Sequence, residues 1–258
     1  DDYLSTYVRS HALNEYISLI EQTKKLCTIP VIASINCFSN SEWTDFARTV
    51  EAAGADALEI NILSLQTEKE YQYGSFEQRH IDIVSSIKKQ ISIPVIVKLG
   101  SNLTNPVALI NQLYANGAAA VVLFNRFYQP DIQIDNLTFT TASVMSSPSE
   151  LSDRIRWTAI ASAEVPQLDY AISGGVHSGK GVIKSLLAGA SAVEICSTIY
   201  QHGNEMIGRM KQELSEWMDD KGFNSIAQFK GKMNAAAAGE VNPFERTQFM
   251  KYYSNHEE

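Results

Sequence analysis

An α/β fold of parallel strands, arranged as a (β/α)8 barrel, is what this sequence predicts, and three observations predict it. Short, nearly unbroken apolar runs alternate with amphipathic helical stretches, the pattern of parallel strands covered on both faces. A chain of 258 residues is the size of one such barrel. The last two strand candidates open into small residues, in Ala171-Ile-Ser-Gly-Gly-Val-His-Ser-Gly-Lys180 and Ala192-Val-Glu-Ile-Cys-Ser-Thr-Ile199. Such ends leave main-chain N–H groups beside a helix start, where a phosphate is held without a dedicated lysine. The last two strands of a barrel form that kind of site.

The strands are expected at Pro30–Asn36, Ala57–Ile62, Pro94–Leu99, Ala119–Asn125, Asp169–Gly174 and Ala192–Ser197. Between them, Trp43–Ala53 follows a Ser39-Asn-Ser-Glu42 capping box and stops at Gly54. Val107–Asn116 has Asn105 as cap, Pro106 in its first turn and Gly117 past its end, and Gly181–Ala188 stops at Gly189. Asn204–Asp220 places Met206, Ile207, Met210, Leu214, Trp217 and Met218 on one face, as a final helix packed on the barrel would. A short helix near Ser225–Phe229 and a linker-like Ala235–Ala238 follow. A closed barrel needs eight strands, and before Pro30 only Leu13–Lys25 is patterned, as a helix. The expectation is therefore one barrel domain over residues 1–258 that lacks its first one or two β/α units. Residues 1–28 carry the leading helix, 204–233 the C-terminal helices and 234–258 a tail. A smaller open α/β fold is the competing arrangement.

Composition narrows the function. A net charge of -8 argues against nucleic acid and anionic membranes as partners. No apolar run approaches the roughly 20 residues that cross a bilayer. Three cysteines without metal-type spacing point to reduced thiols and a cytoplasmic location. The five histidines show no clustering, so no metal is expected.

Several residues fall at the C-terminal ends of strands, the rim where barrel chemistry concentrates. Lys98 ends Ile93-Pro-Val-Ile-Val-Lys-Leu-Gly100, either as a functional cation or as a lysine snorkelling from the rim. Asn36, Asn61 and Asn125 end three further strands. Each carboxamide offers a donor and an acceptor, which suits a ring with an alternating C=O and N–H edge. Gly174 and Gly175 permit close backbone approach, and Cys196 and Ser197 start the last turn. The run Gly174 to Gly181 nearly spells a nucleotide P-loop, but Gly181 stands where Ser or Thr binds magnesium.

These motifs resemble the flavin-dependent dihydroorotate dehydrogenases, above all a dihydroorotate dehydrogenase-like branch from anaerobic gut bacteria. The resemblance runs from about Cys27 to Met233 and includes Lys221-Gly-Phe-Asn-Ser-Ile-Ala-Gln-Phe-Lys-Gly231. It implies an FMN enzyme oxidising dihydroorotate or a related dihydropyrimidine, with a second electron acceptor of unidentified kind. By the resemblance, FMN contacts Asn36, Asn61 and Lys98, and its phosphate lies against Gly174, Gly175, Cys196 and Ser197. Asn61, Asn125 and Arg126 meet the substrate. The family's Asn-x-Ser-[Cys/Ser]-Pro-Asn loop reads Asn61-Ile-Leu-Ser-Leu-Gln66 here, which puts Ser64 in register with the base that takes the substrate proton. Leu65 and Gln66 replace the expected Pro and Asn. Arg126 replaces a Ser or Thr; it either grips a carboxylate or pairs with Glu59 or Asp131 at the rim. Both departures leave a substrate other than dihydroorotate open beside dihydroorotate itself. Family relatives are often dimers, so a homodimer is allowed. Two other readings stand beside this one: a flavin-free barrel lyase or isomerase with a Schiff-base Lys98, and a degenerate barrel that binds without turnover.

Overall fold

In the computed structural model of the protein, residues 2–37, 40–239 and 242–247 are described. The chain runs α1 (Asp2–Leu26), β1 (Ile32–Ile35), α2 (Asn40–Ala52), β2 (Ala57–Ile62), α3 (Ser75–Lys88), β3 (Val95–Gly100), α4 (Pro106–Ala115) and β4 (Ala120–Asn125). A hairpin follows, β5 (Pro130–Gln133) and β6 (Thr138–Thr141). The rest is α5 (Leu151–Glu164), β7 (Asp169–Ser173), α6 (Gly179–Leu187), β8 (Ala192–Glu194), α7 (Ser197–His202) and α8 (Glu205–Lys221). The six expected strands are β1 to β4, β7 and β8, hydrogen-bonded in that order. The α/β class is as expected.

The chain divides into two compact units. One comprises residues 1–102 and 108–121, the other 103–107 and 122–258. In the first, β1, β2 and β3 pair in parallel with Ser34 opposite Glu59, and Asn61 opposite Lys98. Strand alternation separates two faces. Ala33, Ile35, Leu58, Ile60, Ile62, Val95, Val97 and Leu99 are buried on one, the apolar face that α2 and α3 cover with Trp43, Ala47, Val50, Ile83, Val84 and Ile87. The opposite face carries Ser34, Glu59, Asn61 and Lys98. A sheet face bearing four polar side chains is not built for helix packing, and it is where chemistry is to be sought.

The second unit has its own core of Leu151, Ile172, Val176, Val182, Leu186, Met206, Met210 and Phe229. Phe229 is fully buried and sits edge-on to Trp217, with centroids 5.0 Å apart. In α8 the residues that pack are Met206, Met210, Leu214, Trp217 and Met218. Ile207, expected on that face, is instead 47% exposed, because a helix turns about 100° per residue and Met206 has taken the inward direction.

Other boundaries shift as well. The last strand stops at Glu194, and Ser197, expected as its end, opens α7. The leading helix is longer than the Leu13–Lys25 patterning suggested. Ala235–Ala237 is a short 3-10 turn capped by the Asn234 side chain rather than linker. Ser39 of the expected capping box lies outside the described residues, as do 240–241 and 248–258 of the tail. The β5–β6 hairpin was not expected. Its register pairs Ile132 with Phe139 on one face and Asp131 with Thr140 on the other.

Three carboxylates tie loops to these units and set an acid limit on stability. Ser92 holds the Glu51 carboxyl below the usual range, through its hydroxyl and then its N–H. Lys24 does the same for Asp56, helped by the Val31 N–H. Ser191, then Lys230, does so for Asp169. A carboxyl whose folded pKa is depressed adds stability above its unfolded value, and that stability is lost as pH falls through the folded one. Thermal unfolding followed by circular dichroism is expected to show a midpoint falling steadily below about pH 4. Glu51→Gln should flatten that decline. An equally steep decline in the variant would remove Glu51 from the cause.

Candidate active site

In the first unit the polar strand face carries one group of candidate residues. Parallel pairing puts Asn61 beside Lys98, so the two expected rim residues are neighbours across β2 and β3. The Lys98 side chain is 17% exposed, and its Nζ lies 4.0 Å from Glu59 Oε1. Asn36, just past β1, is exposed beside Cys37. Burial, then the charge of Glu42, pushes the Cys37 thiol up to about 12, so Cys37 stays protonated and is no nucleophile.

The loop after β2 holds Ser64. Asn102 Nδ2 donates to the Ser64 carbonyl at 3.1 Å, and Gln66 Nε2 approaches the Ser64 hydroxyl at 3.4 Å. Gln66, the residue that breaks the family pattern, is thus the side chain that touches Ser64. Among the described residues, no imidazole or carboxylate is hydrogen-bonded to the Ser64 hydroxyl. Unaided, a hydroxyl is a very weak base, so any proton it takes must pass on to water.

A second group of candidate residues lies in the second unit. Gly174 and Gly175 follow β7 with φ of 93° and 80°, a region that costs other residues strain. A Cβ on Gly175 would lie 2.5 Å from the Leu151 nitrogen, and one on Gly174 would lie 3.2 Å from Arg154 Nε. The turn therefore presses against α5 with nothing between. Thr198 Oγ1 donates to the Val176 carbonyl at 2.7 Å, tying the glycine turn to the start of α7. Ser146 spans the same two turns: its N–H donates to Ser197 Oγ at 3.0 Å, and its hydroxyl meets His177 Nε2 at 3.1 Å. Among the described residues no protein acceptor is hydrogen-bonded to the N–H of Gly174, Gly175, Cys196 or Ser197. Cys196 is exposed.

One expectation needs correction. The start of α6 is already taken, by Glu213 Oε2 on the Gly179 N–H at 2.8 Å and by Ser178 Oγ on Gly181. Among the described residues, it is the N–H groups of the glycine turn upstream that lack a protein acceptor.

Arg126 also differs from expectation. It pairs with neither Glu59 nor Asp131 but with Glu150, Nε to Oε2 at 3.2 Å. Its other donors reach the Val144 carbonyl and Gln129 Oε1, so it closes the base of the hairpin loop. Asn125 Oδ1 accepts from the Arg126 N–H at 2.8 Å, which orients that carboxamide.

Arg154 escaped the sequence reading. It is 8% exposed and donates to the Ser173 and Glu150 carbonyls, with Nη2 3.4 Å from Glu150 Oε2. Two guanidiniums share the single Glu150 carboxylate, which leaves net positive charge under the glycine turn. The i,i+4 spacing of Glu150 and Arg154 was the one available signal.

Strands bearing amide and ammonium groups at their ends, with a tied glycine turn after a late strand, define an α/β enzyme of the rim-site class. Residues 8–218 match the family model described as Dihydroorotate dehydrogenase, and the chain belongs to that family. It is a dihydroorotate dehydrogenase-like oxidoreductase, of the kind acting on CH–CH bonds. Among its relatives is the catalytic subunit of dihydroorotate dehydrogenase B (NAD(+)) of Thermoplasma volcanium, 28% identical over 222 residues, 84% of this chain and 71% of that protein. The corresponding subunit of Caldicellulosiruptor saccharolyticus is 27% identical, over 79% of this chain and 68% of that protein. The NAD-dependent dihydropyrimidine dehydrogenase subunit PreA of Escherichia coli K12 is 25% identical, over 88% of this chain and 59% of that protein. No helix among the described residues is long and apolar enough to cross a membrane.

Proposed function

We propose that the protein is an FMN-dependent oxidoreductase that converts dihydroorotate, or a related dihydropyrimidine, to the unsaturated ring. The observation that carries this reading is the glycine turn: unpaired N–H groups, held to the α7 start by the Thr198 bond, over net positive charge from Arg126, Arg154 and Glu150. That donor set fits a phosphoryl group. The paired Asn61 and Lys98 fit the polar edge of a flavin ring.

When bound, FMN supplies the acceptor for the hydride that leaves the substrate. Lys98 places positive charge where a reduced ring is negative. Asn61 and Asn125 orient the substrate by their carboxamides. Ser64 receives the substrate proton and hands it to water. Arg126, with its Nε engaged by Glu150, has further N–H directions for an anionic substrate group. Leu65 and Gln66 remove a family substrate contact and favour a dihydropyrimidine other than dihydroorotate. The relatives' names, a catalytic subunit and a subunit, support a separate electron-transfer partner. A (β/α)8 barrel arrangement of these units and a cytoplasmic location belong to the same proposal.

The test begins with an absorbance spectrum of the purified protein and mass identification of released cofactor. FMN is expected, together with anaerobic bleaching by dihydroorotate or dihydrouracil. Ser64→Ala should retain FMN and slow that bleaching about a hundredfold or more. A colourless protein that takes up no FMN sinks the proposal, whereas unchanged bleaching in the variant assigns the proton to another group.

A further inference from the structure

Glu59 is a carboxylate that the proposed reaction leaves unused. It lies in mid-β2, 5% exposed, on the strand face that carries Asn61, between Ser34 of β1 and Ile96 of β3. Ser34 Oγ donates to Glu59 Oε1 at 2.6 Å, and the same oxygen stands 4.0 Å from Lys98 Nζ. Ser34 is fixed in turn by Tyr16. The Tyr16 hydroxyl accepts the Ser34 N–H at 2.8 Å and donates to the Ser34 carbonyl at 3.0 Å. Burial raises the Tyr16 hydroxyl above its usual range, against the lowering by its Ser34 bond, and the Glu59 charge raises it further.

A buried carboxylate is costly unless hydrogen bonds and an opposite charge compensate it. Here the compensation comes from Ser34 on one side and Lys98 on the other. Tying strands together needs no charge, since an amide would accept from Ser34 equally well. A charge at this place has an electrostatic consequence, because it offsets the ammonium that faces the ring.

We propose that Glu59 is a positioning residue that holds Lys98 at the rim and, by offsetting its charge, lowers the reduction potential of the flavin bound there. The inference rests on the flavin reading above. Two-electron reduction leaves a flavin anionic, which a cation favours and a neighbouring carboxylate opposes. Removing the Glu59 charge should therefore make the flavin easier to reduce.

The experiment compares the wild type with Glu59→Gln, which keeps the shape and the Ser34 acceptor, and with Glu59→Asp, which keeps the charge. In the flavin-loaded protein, Glu59→Gln is expected to shift the reduced-to-oxidised ratio about tenfold towards reduced, an increase of about 30 mV. Glu59→Asp should stay near the wild type. A second readout needs no flavin: thermal unfolding of flavin-free wild type, Glu59→Gln, Lys98→Met and the double variant. The double variant should lose clearly less than the sum of the two single losses. Bound flavin with an unmoved potential in Glu59→Gln overturns the inference, and so does additivity in the flavin-free cycle. A wild type that takes no flavin removes the functional reading instead, while the flavin-free cycle still reports on the Glu59–Lys98 pair.

Discussion

Gly175→Ala is expected to lose most of the bound FMN and to unfold about 10 °C below the wild type in a thermal melt. Two costs add. A φ of 80° is unfavourable to any residue with a Cβ by roughly 1–2 kcal/mol. The new methyl would also lie 2.5 Å from the Leu151 nitrogen. That atom belongs to the first turn of α5 and cannot rotate aside as a side chain would, which adds about 1–3 kcal/mol of overpacking. The sum is a large part of the roughly 5–15 kcal/mol that stabilises most domains. Relief requires the turn to move away from α5, and the turn carries the N–H groups assigned to the phosphate. Gly174→Ala should be milder, because its Cβ would meet the Arg154 guanidinium at 3.2 Å, the far end of a long side chain. Equal damage from the two substitutions would show that the close approach to Leu151 is unimportant.

The difference between these neighbouring glycines marks where sequence stops being informative. The pair itself was legible, since two glycines after an apolar run announce a special backbone. So was the Asn61–Lys98 neighbourhood, because both residues end strands and parallel pairing levels strand ends. What presses on the turn was not legible. Leu151 and Arg154 arrive from a helix twenty or more positions earlier, and no local pattern points from one to the other. The same holds for Glu213, whose carboxylate occupies the α6 start. A Ser-Gly-Lys-Gly run reads locally as an open anion site, and only packing against α8 closes it. Arg126 failed for a related reason: its candidate partners were sought among rim residues, whereas Glu150 comes from beyond a hairpin that the sequence did not announce. Its strands alternate residue by residue but are only four residues each, too short for the period to stand out.

The functional weight of the site falls unequally on these two kinds of residue. Lys98, Asn36, Asn61 and Asn125 present polar atoms from strand ends, so their spacing follows from sheet geometry. The glycine turn depends instead on long-range ties through Ser146, Thr198 and Arg154, each of which joins separate segments. A chain drifting towards a new substrate can alter Leu65, Gln66 or Arg126 without disturbing those ties. That fits the proposal, in which the glycine turn keeps its ties while the loop after β2 departs from the family pattern.

Arg154→Met is expected to separate the proposed phosphate contact from the proposed ring contacts experimentally. The substitution keeps most of the buried volume but removes the donors to the Ser173 and Glu150 carbonyls and the ion pair with Glu150. Hydrogen bonds from charged groups are worth about 1.5–3 kcal/mol, so thermal stability should fall measurably. The sharper expectation concerns the ligand. With Arg154 gone, Glu150 is shared with Arg126 alone, and the net positive charge under the turn disappears. FMN should then bind about tenfold to a hundredfold more weakly, at 1.4 kcal/mol per factor of ten. Riboflavin, which has the same ring and no phosphate, loses nothing by this electrostatic route, so its affinity should stay near the wild-type value. Titration of flavin-free protein by fluorescence quenching gives both constants. Equal weakening of the two ligands would mean that Arg154 supports the fold of the site and not the charge within it. An FMN affinity that does not change would place the phosphoryl group away from the glycine turn.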